Sequence, residues 1–244
     1  MVTRPGIIWV GAHPSNFERG RGGIRLEAVV WHVTEGAMPG PWFNDPRARA
    51  STNFAVSKSG RIEGYVALGD TAFAHGSVEV SYEEARPLIR DNWGINPNLW
   101  AASIEFEGTR ADVLAGRVPA PEQAAAAVRL TAWLFDEVLF RSGAGGVAVD
   151  RDHILMHRDI SPRSRTCPVW GEDVQERMIG SVQALLAERP RVETPGSGSS
   201  RIRALEDALT VQALDLDQRA EQLTTHAAAL RIQAANLRAL LPTG

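Results

Sequence analysis

Four short runs of β-branched and aromatic residues constrain this chain most: "EAVVWHV" (27–33), "NFAVS" (53–57), "ASIEFEG" (102–108) and "HILMH" (153–157). Each has the length of a strand, and such residues suit a pleated, buried surface. Two longer stretches, "PEQAAAAVRLTAWLFDEVLF" (121–140) and "GEDVQERMIGSVQALLAE" (171–188), carry helical patterns. Pro121 suits a first helical position and Gly143 a stop. Strands interleaved with long helices predict an α/β domain, a sheet with helices packed on it. Within it, "KSGRI" (58–62) predicts a hairpin turn in which Gly60 supplies the special backbone angle.

This domain is expected to span residues 1–191. The Pro, Gly and Ser content of "RPRVETPGSGSS" (189–200) marks a break, read as a flexible linker over 192–200. Residues 201–241 then contain no Gly or Pro. Ile202, Leu209, Leu216, Leu223, Leu230 and Leu237 recur every seventh residue, and Ala213, Ala220, Ala227, Ala234 and Leu241 follow four residues after five of them. Leu at d and a small residue at a predict a C-terminal helical coiled coil, with Glu206 interrupting the first heptad. A lone helix docked on its own domain would need a wider apolar stripe. The expected partner is therefore another copy of the chain, in a homo-oligomer held through 201–241.

Charge narrows the function classes. A formal net charge of −3, without any basic cluster, leaves no electrostatic footprint for nucleic acid. No stretch approaches the ~20 apolar residues needed to span a bilayer. The N-terminal "MVTRPGIIWVGAHP" lacks the apolar core of a signal peptide, so a cytoplasmic location without membrane insertion is expected.

A single cysteine, Cys167, excludes an intramolecular disulfide. It follows ten residues after His157, which ends one apolar run as His32 ends another. Two imidazoles and a thiolate make a three-ligand set for Zn²⁺, with a fourth tetrahedral position open to water. Spacing alone leaves other readings open: a lone cysteine as a small buried hydrophobe, and each histidine as a satisfied core residue.

The segments "VVWHVTEGAMPGPWF", "STNFAVSKSGRIEGYV", "DTAFAHGS", "SIEFEG" and "MHRDISPRSRTCP" occur in an order that resembles the zinc-dependent N-acetylmuramoyl-L-alanine amidases. That family includes phage lysozyme-amidases, wall-recycling amidases and animal peptidoglycan recognition proteins. The resemblance covers roughly residues 6 to 185 and implies a central mixed β-sheet flanked by helices. It also implies a Zn²⁺ cofactor, with His32, His157 and Cys167 as ligands, and peptidoglycan or a muropeptide as substrate. Glu105 falls on a glutamate that handles protons in wall-recycling members, with Glu107 as its understudy. Arg165 stands where many relatives carry a lysine, and a fixed cation there would stabilise an oxyanion. Thr52 replaces a tyrosine of phage and animal members, which shifts the chemistry toward Glu105 and Arg165. His75 matches a histidine beside the cleft and is expected to contact substrate. Trp170, close to the metal loop, is expected to line the cleft. Trp31, Trp42, Trp93, Trp100 and Trp133 are read as core, and His13 and His153 as structural or surface residues.

The resulting expectation is a peptidoglycan hydrolase that uses a zinc-activated water on the bond between N-acetylmuramic acid and L-alanine. A phage endolysin is the first setting and a cytosolic wall-recycling amidase the second. A non-catalytic peptidoglycan-binding module of the same fold is the competing class. Recognition members commonly lose the thiol that Cys167 retains, which favours the enzyme.

Overall fold

The computed structural model describes residues 2–138, 148–163 and 167–188. Gly143, Arg165, the linker and the heptad segment lie outside the described residues.

Among the described residues, eight strands form two sheets. In chain order they are β1 (Ile7–Trp9), β2 (Phe17–Glu18), β3 (Ala28–Val33), β4 (Phe54–Val56), β5 (Ile62–Gly64), β6 (Thr71–Ala72), β7 (Ala101–Phe106) and β8 (Ile154–Met156). The main sheet has the order β1-β5-β4-β7-β3-β8, and β2 pairs with β6 in a small antiparallel ribbon. Within the main sheet only β4 and β5 are antiparallel; the other neighbours run parallel. The sheet is mixed, and helices flank it. Short helices α1 (Gly40–Phe43), α2 (Pro87–Asp91), α3 (Pro97–Trp100) and α4 (Arg110–Leu114) precede the long α5 (Pro121–Trp133). After β8 come α6 (His157–Ile160) and α7 (Glu172–Ala187).

All six residues of β3 are buried, as expected of a strand with covered faces. Alternation sends Val29, Trp31 and Val33 one way, beside Ala102, Ile104 and Phe106 of β7. There they meet Ala126, Leu130 and Trp133 of α5 and Met178, Ile179 and Val182 of α7 in one apolar cluster. The opposite face carries Ala28, Val30, Ala101 and Leu155, packed with Trp100 and Ile160. His32 and Glu105 share that second face, directly opposite each other across the parallel pair.

The expected hairpin is present between β4 and β5. Gly60 has φ +82°, and its amide donates to the Ser57 carbonyl at 2.8 Å. A Cβ there would also lie 2.8 Å from the Glu122 carbonyl oxygen, so the turn requires glycine for conformation and for space. Pro121 starts α5 as expected. The helical pattern continues beyond Trp133 as a π-type turn over Leu134–Val138, and residues 139–140 lie outside the described residues. Sequence periodicity did not reveal β1, β2, β6 or the four-to-five-residue helices, because such segments span less than two repeats of either pattern.

Among the described residues, no helix is long and apolar enough to cross a membrane. Trp31, Trp100 and Trp133 are buried as read from the sequence. Trp42 and Trp93 are instead exposed, at 53% and 44%. Trp42 lies within α1 and stacks on Phe43, and Trp93 lies two residues beyond α2, edge-on to the exposed Tyr82.

Candidate metal centre

Strand β3 delivers His32 at its penultimate position, and β8 stops at Met156 so that His157 becomes the first residue of α6. This corrects the placement of His157 on a strand end. The Asp159 carboxylate accepts from the Met156 amide at 2.8 Å and turns the strand directly into the helix. Parallel pairing of β3 with β8 then brings the two imidazoles together. Their Nδ1 atoms are 3.0 Å apart, and Cys167 Sγ lies 3.4 Å from His157 Nδ1. The donor atoms of all three side chains fall within 4.8 Å of one another.

Zn–N bonds of ~2.0–2.1 Å and Zn–S bonds of ~2.3 Å imply donor separations of about 3.3–3.6 Å around a tetrahedron. The observed 3.0 and 3.4 Å are close to that spacing. Both histidines are buried and the thiol is partly so. Two nitrogens and one sulfur suit Zn²⁺ better than a hard, oxygen-seeking cation. The residues fit the metal.

Glu105 supplies the neighbouring carboxylate. Its Oε1 lies 4.0 Å from His32 Nδ1, and the side chain is 14% exposed. Its Oε2 is buried and has no hydrogen-bond partner among the described residues. Burial pushes the carboxyl up to about 8, and the negative charge of Glu35 adds to the shift. A cation among the three donors would act in the opposite direction and favour the ionised form. Glu107, the other candidate, lies just past the end of β7 and accepts from the Lys58 amide of the hairpin at 2.9 Å.

The remaining sequence candidates are placed differently. His75, a candidate for substrate contact or for a structural role, is buried, with its ring beside His32 and its carbonyl beside His157. Burial, with His157 nearby, holds the His75 imidazole down at about 3 and hence neutral. Thr52, also a candidate substrate contact, is fully buried just before β4, and its hydroxyl donates to Ser103 Oγ of β7 at 2.8 Å. Trp170 is corrected from cleft to core. It sits edge-on to Phe106 and Trp31, on the sheet face away from His32, because the chain crosses to that side to begin α7. There it borders a groove of about 980 Å³ among α4, α5 and α7. His13 and His153 bond locally to Ser15 and Asp150.

Sequence reading missed Arg158. Its guanidinium donates to the carbonyls of Pro168 and Trp170 at 2.9 and 2.7 Å, while its amide donates to the Cys167 carbonyl at 3.1 Å. The loop that carries the thiol is thus fastened to the helix that carries His157. An arginine adjacent to a candidate ligand was the only signal available in the sequence. Arg158→Ala should weaken zinc binding by about tenfold, in the range of outer-shell losses. Chelator competition measures this, and unchanged affinity would remove Arg158 from the centre.

The family model for N-acetylmuramoyl-L-alanine amidase matches residues 22–170, more than half of the chain. No curated protein sequence matches. Among solved structures, a selenomethionine derivative of AmpD is similar at 17% identity and a TM-score of 0.51, covering 70% of this chain and 93% of its own. The endolysin N-acetylmuramoyl-L-alanine amidase LysCS from Clostridium intestinale URNW aligns at 16% identity and a TM-score of 0.48, covering 73% and 98% respectively. The match over residues 22–170 takes in His32, His75, Glu105, His157 and Cys167, and the chain belongs to the N-acetylmuramoyl-L-alanine amidase family.

Proposed function

We propose that this chain is a zinc-dependent hydrolase of the amide between the lactyl group of N-acetylmuramic acid and L-alanine of the peptide stem. The observation that carries the reading is the convergence of His32 Nδ1, His157 Nδ1 and Cys167 Sγ beside the Glu105 carboxylate, whose Oε1 lies 4.0 Å from His32 Nδ1 and whose buried Oε2 has no hydrogen-bond partner among the described residues. When bound, zinc supplies a Lewis acid for the amide carbonyl and lowers the pKa of water toward ~7. Glu105 accepts a proton from the attacking water at its carboxylate and returns it to the departing amine. The products are a lactyl carboxylate and a free alanine amino group. Arg165 is assigned as the cation for the oxyanion, its planar head in place of the point charge of a lysine.

Digestion of purified peptidoglycan should release N-terminal alanine with no new reducing ends. Reducing ends without new amines would indicate glycan cleavage by paired carboxylates instead and overturn the reading. Retention of Cys167 favours the enzyme over a binding module, since recognition alone requires no thiol.

We assign residues 1–191 to the catalytic unit, 192–200 to a tether and 201–241 to self-association through the Leu/Ala seam. Joining several catalytic units would raise their effective concentration on an insoluble wall. This arrangement favours a phage endolysin over a recycling amidase acting on soluble fragments. Light scattering should find the full chain oligomeric and a version ending at Glu193 monomeric. A monomeric full chain at micromolar concentration would rule the tail's role out.

A further inference from the structure

His75 has no role in the chemistry above, yet it touches both histidines of the centre. It lies in the segment after β6, and Asn98 of α3 fixes the backbone there. Asn98 Oδ1 accepts from the Ala74 amide at 3.0 Å and from the His75 amide at 2.8 Å. The Asn98 carbonyl in turn accepts from the buried Arg21 guanidinium at 2.8 Å. From this braced position His75 Nδ1 lies 3.0 Å from His32 Nε2. The His75 carbonyl oxygen lies 3.0 Å from His157 Nε2. One residue therefore meets the outer nitrogen of each imidazole, once with its ring and once with its main chain.

Only one arrangement of protons satisfies all these contacts when Nδ1 of His32 and of His157 face a metal. Each ligand must then carry its proton on Nε2. His157 Nε2–H donates to the His75 carbonyl, which has no alternative but to accept. His32 Nε2–H donates to His75 Nδ1, which must be bare. The His75 proton then sits on Nε2. The ring of His75 stacks near-parallel to His32, at 21° and 5.1 Å between centroids, which limits rotation of His32.

We infer that His75 is a positioning residue that selects the tautomer and ring orientation of both His32 and His157, so that each presents Nδ1 to the metal. The inference rests on the reading of His32, His157 and Cys167 as a zinc site. Outer-shell acceptors of this kind typically change metal affinity by about 10–100-fold.

Two variants separate the acceptor from the packing. His75→Leu fills the ring's space with no acceptor, whereas His75→Asn places an amide oxygen near the position of Nδ1. Both keep the main-chain carbonyl. We expect His75→Leu to bind zinc about 10–100-fold more weakly by chelator competition and to shift the absorption bands of the Co²⁺-loaded protein. His75→Asn should recover most of the affinity and the wild-type spectrum. Urea unfolding of the metal-free proteins monitors folding. Nitrogen-detected histidine NMR on the zinc-loaded wild type needs no variant, and it should find protons on Nε2 of His32, His75 and His157. A proton on His75 Nδ1 would overturn the inference. So would wild-type zinc affinity and Co²⁺ spectrum in His75→Leu, or an Asn variant no better than Leu. Wild-type protein that fails to bind zinc, and that matches His32→Ala in metal analysis, would instead overturn the zinc-site reading itself.

Discussion

Cys167→Ala should strip the protein of most of its zinc and with it the amidase activity. The thiolate is the one anionic donor in the set, and it lies 3.4 Å from His157 Nδ1. Removing it leaves two neutral imidazoles, a poor site for a dication at micromolar metal. Outer-shell losses alone reach about 100-fold in affinity, so loss of a direct ligand should exceed that. Metal analysis after dialysis should find near-stoichiometric zinc in the wild type and little in the variant. Full zinc occupancy in Cys167→Ala would remove the cysteine from the site. Because thiolate and imidazole must both be unprotonated to bind, zinc uptake by the wild type should also weaken as pH falls.

Glu105→Gln tests the other half of the reading, and here zinc should stay. The amide keeps the size of the side chain but cannot take a proton, so turnover should fall by about 10²–10⁴-fold with metal content unchanged. Near-normal turnover would return Glu105 to a structural role. The metal-free protein offers a second readout. Burial, assisted by Glu35, raises the folded-state value of this carboxyl to about 8, above its ordinary 4.5. Between those values the folded protein holds a proton that the unfolded chain has released, so stability falls as pH rises through the window. His75 is pulled the other way, to about 3, and its influence is spent once pH exceeds the ordinary histidine value of 6.5. The slope between pH ~7 and ~8 is therefore the cleanest place to see Glu105. Urea titrations of metal-free protein should show that fall in the wild type and lose it in Glu105→Gln. An identical slope in both would show that the carboxyl titrates normally.

Much of this protein was legible from local pattern. Period-two alternation put Glu105 on the face opposite Ile104 and Phe106, and the structure agrees, because side-chain direction along a strand is a local property. The same holds for the Gly60 turn and the start of α5 at Pro121. Motif order offered His32, His157 and Cys167 as one donor set, and the approach of the two imidazoles depends on the parallel alignment of β3 and β8, which joins residues more than a hundred positions apart.

Where the sequence fell short, the missing information was which side of the sheet a segment takes. Trp170 is three residues from Cys167, yet its indole is on the far face from His32, since the chain crosses between them to start α7. His75 looked like a cleft residue and is enclosed, because Asn98 and His157, distant in sequence, close over its backbone. Arg158 had no motif at all, and its role exists only once the Cys167 loop folds back against α6. Strand alternation, turn chemistry and donor identity are written in neighbouring residues and were determined by the sequence itself. Burial, hydrogen-bond partners and the face on which a loop residue lands depend on contacts between distant segments, and only the tertiary structure decided them.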